Sequence, residues 1–174
     1  MSYNKNMIKI EMQKMKENNV DSIMEIESVA FGKYHWSANS FISEINNKLA
    51  HYYSATDDSG KVICYCGFWN ILGEGHITTF AVREEYRKQK IAEQMMLFIF
   101  EEAKKLDIKW FTLEVRASNL PAINLYEKYG FETIGKREKY YQDNNEDALI
   151  MWTPNIYSDK LKMLVENNKQ QLEA

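Results

Sequence analysis

The chain has 174 residues, 45% of them hydrophobic and 27% charged, with a formal net charge of −3. That is enough for one core of ordinary globular composition, and the charge gives no general pull toward nucleic acid or an anionic membrane. The longest apolar run, Met95 to Phe100, is far too short to cross a bilayer, and the N-terminus mixes Lys5, Lys9 and Glu11 with isolated apolar residues, so no signal-peptide core is expected.

In chain order, Ile8 to Met12 reads as a first strand. Asp21 then reads as the cap of a helix whose apolar residues Ile23, Met24, Ile26 and Val29 recur at threes and fours, ending near Phe31 and Gly32. Ser37 starts a second helix through Phe41, Ile42 and Ile45. His51 to Ala55 and Val62 to Trp69 are strands joined by the turn Asp57 to Gly60. Cys64 and Cys66, the only two cysteines, share one face of the second of these strands and read as reduced, buried thiols of a cytoplasmic protein; no His/Cys cluster completes a metal site, so none is expected. Gly73 and Gly75 punctuate before a strand from His76 to Val82. A long helix covers Ile91 to Leu106, with Met95, Phe98, Ile99 and Ala103 on one face.

The next unit carries the most chemistry. A strand from Trp110 to Arg116 runs into a short helix with Asn119 as N-cap, Pro121 in the first turn, where a missing N–H is tolerated, and Gly130 where a helix ends left-handed. It places the carboxylate of Glu114 near the C-terminal end of a strand and the phenol of Tyr126 on the following helix, where open α/β sheets keep their chemistry. Strands from Thr133 to Tyr141 and Ala148 to Thr153 flank the loop Asp143 to Glu146, and Leu161, Leu164 and Val165 suggest a final helix that packs back. The order implies an α/β fold with a mixed sheet and helices on its faces. With no linker or repeat, residues 1–154 read as one domain and 155–174 as a helical C-terminal extension.

Pattern alone leaves several roles open. Arg87, Lys88 and Lys90 precede a helix N-terminus, which suits a phosphate, although the pattern alone favours a solvated basic turn. Glu114 fits either a cleft or an ion pair with Arg116, and Tyr126 fits either chemistry or a core stripe with Ala122, Leu125 and Tyr129.

The block from Gly75 to Trp152 resembles the GNAT acetyltransferases, and within them the RimI-type ribosomal-protein-alanine N-acetyltransferases. The resemblance is carried by Ile77-Thr-Thr-Phe-Ala-Val82, Tyr86-Arg-Lys-Gln-Lys-Ile-Ala92, Leu113-Glu-Val-Arg-Ala-Ser-Asn119, Ala122-Ile-Asn-Leu-Tyr126, Tyr129-Gly-Phe131, Tyr140-Tyr141 and Glu146-Asp-Ala148. It implies a GNAT fold with a mixed central sheet of six to seven strands, and transfer of an acetyl group from acetyl-CoA to an amine by direct attack. Glu114 would be the base and Tyr126 the acid. The cofactor would lie along Phe80, Ala81 and Val82, with its pyrophosphate on Arg87, Lys88, Gln89, Lys90, Ile91, Ala92 and Glu93, and with Asn119 near it. Phe31, Trp36, Tyr140 and Tyr141 would hold the acceptor, which in this group is the N-terminal alanine of a basic small-subunit ribosomal protein. A monomer or weak dimer, with no direct nucleic-acid or membrane contact, goes with that reading.

Alternative acceptors are a polyamine or an amino sugar; a CoA-binding module without turnover is the non-enzymatic alternative. Two departures bear on these. The family usually has Gly where this chain has Lys90, and Phe31 to Trp36 is longer than the group's Phe-Pro-Trp.

Overall fold

The computed structural model describes residues 10–173. In chain order the elements are β1 (Glu11–Lys14), α1 (Val20–Phe31), α2 (Ala38–Ile45), β2 (Ala50–Thr56), β3 (Val62–Ile71), β4 (Glu74–Val82), α3 (Ile91–Lys105), β5 (Trp110–Arg116), α4 (Leu120–Lys128), β6 (Glu132–Tyr141), β7 (Glu146–Trp152) and α5 (Asp159–Glu173). The strands form a seven-stranded sheet in the order β1-β2-β3-β4-β5-β7-β6. Strands β1 and β2 are antiparallel; β4 and β5 are parallel over Glu74–His76 against Trp110–Thr112; β7 lies antiparallel between β5 and β6. The mixed sheet follows from connection lengths: the two residues Leu72 and Gly73 join neighbouring antiparallel strands, whereas parallel β4 and β5 are separated by α3. Of the expected first strand, Ile8 and Lys9 lie outside the described residues; β1 runs from Glu11.

The chain divides into two compact units, one of residues up to Gly67 with Thr79–Met95, the other of Phe68–Thr78 with Met96 onward. In the first, α1 buries Val20, Ile23, Ile26 and also Glu27. Val29, expected on that face, is 61% exposed, because the stripe turns toward Glu27 at the i+4 position from Ile23. Asp21 is not the cap: it lies in the first turn, and Asn19 precedes the helix without a side-chain capping bond, its oxygen accepting the Lys16 N–H instead. Ser37 does cap α2, its hydroxyl accepting the Ser40 N–H at 3.1 Å. Phe41 sits edge-on to Tyr65 at 5.7 Å and to Tyr52 at 6.3 Å. Cys64 and Cys66 are both buried and free, and burial pushes both thiols well above their ordinary range, which keeps them protonated.

In the second unit Phe111 is the centre of an edge-to-face cluster with Phe68 at 5.3 Å and Phe100 at 5.6 Å. Gly75 lies inside β4 rather than at a break: a Cβ there would sit 2.5 Å from the Phe111 ring. Helix α3, whose residues up to Met95 belong to the first unit, buries Met95, Ile99 and Ala103 as expected, with Met96 and Phe100 in place of Phe98, which is only half-buried. Helix α5 docks on the end of α4. Leu161 packs against Gly130, and the Asn168 amide donates to the Lys128 carbonyl at 2.7 Å, satisfying one of the last carbonyls of α4.

Candidate functional site

The candidate residues fall in both units, and each group is taken in its own. In the first, β4 presents Phe80, Ala81 and Val82, with Ala81 buried and its neighbours half-buried. The ladder ends with the Arg83 N–H donating to the Ile63 carbonyl at 2.8 Å. A 3-10 turn at Glu84–Tyr86 follows. Asp57 fastens that turn to the β2–β3 connection: Tyr86 donates its hydroxyl to the Asp57 carboxylate at 2.6 Å, and hydrogen bonds from Ser59 and then Tyr86 hold that carboxyl down at about 2. The Arg87 side chain donates to the Val82 carbonyl at 3.3 Å, and the Gln89 amide to the Glu85 carbonyl at 2.9 Å.

Lys88 and Lys90 have φ of 59° and 62°. The left-handed region is costly for any residue with a Cβ, so the position where the family usually has Gly keeps a glycine's backbone geometry while carrying a lysine. Ile91, Ala92 and Glu93 form the first turn of α3, the positive end of its dipole. Exposed Arg87, Lys88 and Lys90 add positive charge at the helix end where the dipole already favours an anion. This combination fits a phosphate-bearing cofactor.

Phe31 and Trp36 bound the segment after α1. Phe31 is exposed; Trp36 is half-buried, with its ring 5.5 Å from Phe41 and 6.3 Å from Tyr52. The Trp36 N–H donates to the Glu27 carboxylate at 2.9 Å.

In the second unit, α4 is held at both ends as its sequence implies. The Asn119 side chain accepts the Ala122 N–H at 3.3 Å, and the Ser118 N–H donates to Glu146 at 2.6 Å. At the other end, Gly130 (φ 86°) donates to the Glu127 carbonyl and Phe131 to the Tyr126 carbonyl, both at 3.0 Å, which makes a Schellman ending. Tyr126 therefore sits at a fixed height on a nine-residue helix, 8% exposed, with its ring 5.5 Å from Phe131.

Glu114 points from β5 with its side chain 31% accessible, and its partner is Arg137 of β6, at 2.9 Å. Arg116 is engaged elsewhere, with Asp143 at 3.0 Å, Glu146 at 3.3 Å and its guanidinium 3.9 Å over the Tyr141 ring. Tyr140 also donates a hydrogen bond to Glu114; the carboxylate's negative charge is the largest cause of that phenol's upward shift, with burial and the bond itself adding to it. Tyr140 and Tyr141 meet edge-to-face at 5.2 Å, and burial pushes Tyr141 up. Glu114, Arg137, Tyr140 and Tyr141 thus form one cluster in which a carboxylate can take a proton or hold an ammonium. Asn119 and Tyr126 belong to the helix beside β5. Among the described residues, no group of three or more His, Cys, Asp and Glu side chains could hold a metal ion.

Arg137 and Glu27 were not singled out by sequence reasoning. Glu27 did leave a signal, an acid on the Ile23–Ile26 face. Arg137 left none, because its place beside Glu114 depends on β7 lying between their strands and on the register Glu114–Ile150–Gly135.

The acetyltransferase (GNAT) family pattern matches residues 20–131. A Bacillus subtilis (strain 168) protein that carries the provisional name ribosomal protein bS18-alanine N-acetyltransferase is 39% identical over 145 residues, 83% of this chain and 95% of its own length. The ribosomal protein bS18-alanine N-acetyltransferase of Escherichia coli (strain K12) is 31% identical over 123 residues, 70% of this chain and 82% of its own. A crystal structure of the ribosomal-protein-S18-alanine N-acetyltransferase from Escherichia coli superposes with a TM-score of 0.76 at 28% identity, covering 84% of this chain and 94% of that one.

Proposed function

The chain belongs to the GNAT family of N-acetyltransferases, and on that premise we propose that it acetylates a protein N-terminus, the N-terminal alanine of a small-subunit ribosomal protein, in the cytoplasm. The likeness over nearly the full length of relatives named for that acceptor carries the reading. Acetyl-CoA would supply the acetyl group as a thioester: the amine nitrogen bonds to the acetyl carbon, the carbon–sulfur bond breaks, and CoA leaves as the thiol. Phe80 to Val82 are the strand along which its pantetheine arm lies, and Arg87 to Glu93, with the N-terminus of α3, take its pyrophosphate. Left-handed Lys88 and Lys90 support that role, since this backbone shape turns a loop's N–H groups inward.

Glu114 is the general base. A peptide α-amine has a pKa of about 8 and is largely protonated at neutral pH, so it must lose a proton before it attacks. Glu114 rests against Arg137, and an incoming ammonium of the same charge takes the arginine's place, which brings the proton to be removed within reach of the carboxylate. Tyr126 returns a proton to the departing sulfur. Asn119 sets the start of the helix that carries Tyr126. Phe31, Trp36, Tyr140 and Tyr141 hold the first residues of the acceptor.

The test is release of CoA from acetyl-CoA in the presence of peptides beginning Ala-Arg, Met-Leu or Ser-Glu, with spermidine in parallel. Turnover confined to the Ala-Arg peptide is expected. Turnover on spermidine alone replaces the protein acceptor with a small amine, and silence on all four despite acetyl-CoA binding removes the proposed acceptor.

A further inference from the structure

Glu27 is 1% exposed, on the inward face of α1 one turn after Ile23. An acid is rarely buried so completely without compensation. Its neighbour along the helix, Glu25, pairs with Arg83 at 2.9 Å. The bonds shown for Glu27 are instead two donors: the Trp36 N–H on one oxygen at 2.9 Å, and the Tyr65 hydroxyl on the other. The Thr79 hydroxyl donates in turn to the Tyr65 oxygen at 3.4 Å. Every donor in this chain points toward the carboxylate, so each bond polarises the next. The titratable groups facing it are Tyr65 from β3 and His35, whose ring is 2.7 Å from the Trp36 carbonyl.

The two ends of this chain of bonds differ in kind. Thr79 is in β4, one residue before Phe80. Trp36 closes the segment after α1, in which Gly32–Tyr34 make a 3-10 turn and Phe31 and Tyr34 are exposed. The residue after Trp36 caps α2. The direction in which the exposed segment re-enters the fold is therefore set at the Trp36 amide, and the group that holds that amide is Glu27.

We propose that Glu27 is a positioning residue for the acceptor, its buried carboxylate tying the Gly32–Trp36 segment to β3 and β4 and so fixing the shape of the loop that receives the acceptor's first residues. This rests on the N-terminal acetyltransferase reading. It assigns Glu27 to recognition rather than to proton transfer, because the carboxylate is buried against backbone and phenol.

The test compares Glu27→Leu, which fills the same space without accepting a hydrogen bond, with Glu27→Gln, which keeps an acceptor for the Trp36 amide. Tyr65→Phe removes only the second donor. Two readouts are taken: hydrogen exchange at the Trp36 amide, and the separate KM and kcat values for the Ala-Arg peptide and for acetyl-CoA. Glu27→Leu should speed exchange and raise the peptide KM by about tenfold or more, the worth of one bond to a charged group, with kcat and the acetyl-CoA KM within about twofold. Glu27→Gln should recover most of both effects, and Tyr65→Phe should fall between. Unchanged exchange overturns the tie, and faster exchange with an unchanged peptide KM overturns the role in recognition. Equal losses in both substrates, tracking a fall in melting temperature across the three variants, reduce Glu27 to a structural residue and overturn it too. A wild-type protein that turns over no peptide sinks the proposed function instead; the exchange measurement still judges the tie.

Discussion

Replacing Lys90 with glycine should make this protein more stable, against the usual direction for glycine. Lys90 has φ of 62°, where a Cβ crowds the backbone at a cost of about 1–2 kcal/mol. Glycine removes that cost but adds about 0.4–1 kcal/mol of unfolded-state entropy. The difference leaves a net gain of about 1 kcal/mol, or about 2–4 °C in melting temperature for a chain of this size. Lys90→Ala is the control, because it removes the same charge and methylenes while keeping the Cβ. Thermal unfolding of the two variants therefore isolates the backbone from whatever the ammonium does. Lys90→Gly should melt above Lys90→Ala by that margin. Equal melting temperatures would refute the strain argument. Acetyl-CoA titration adds the functional half: if the ammonium meets the pyrophosphate, both variants bind more weakly by the same factor, and the loss shrinks as salt rises.

Glu114→Gln should lower turnover on the Ala-Arg peptide by about 10²–10⁴-fold while acetyl-CoA affinity stays within about twofold; undiminished turnover removes Glu114 as the base. Gly130→Ala places a Cβ 2.3 Å from Leu161 at a φ of 86°, so it should destabilise the protein by about 2 kcal/mol or more, and the same change made in a Leu161→Ala background should cost less, because the clash is relieved while the backbone strain stays. Glu146, held down at about 2 from an ordinary 4.5 by bonds from Ser118 and Asn144, contributes stability that is full above pH 4.5 and disappears as pH falls toward 2. Glu146→Gln should therefore melt below the wild type at pH 7 and converge with it near pH 2; a gap that persists in acid would show that the carboxylate's charge is not what matters.

The β5–α4 unit was legible because each of its signals acts over a few residues. Asn119 meets a backbone N–H three positions on, and Gly130 ends the helix through bonds to carbonyls three residues before it and, from Phe131, five. Ser37 and the Asp57–Gly60 turn were legible for the same reason. Where two local signals competed, the choice fell to packing. Asp21 was read as the cap of α1 and Val29 as part of its buried face, yet Asn19 precedes the helix and Glu27, bonded to Tyr65 of β3, takes the inward place. Gly75 looked like a break because the Phe111 ring that excludes any side chain there lies 36 residues further on.

By itself, then, the sequence determined the caps of α2 and α4, the turns, the run of strands and helices and the family, all properties of residues close together in the chain or of motifs read in a line. Tertiary structure alone decided that β7 inserts between β5 and β6, and hence that Glu114 faces Arg137 rather than Arg116 two residues away. It decided as well that an acid on α1 is buried under the Trp36 amide. Strand order and register bring together side chains whose separation along the chain carries no record of their contact, and the charge of a carboxylate depends on those neighbours rather than on the residues beside it in sequence.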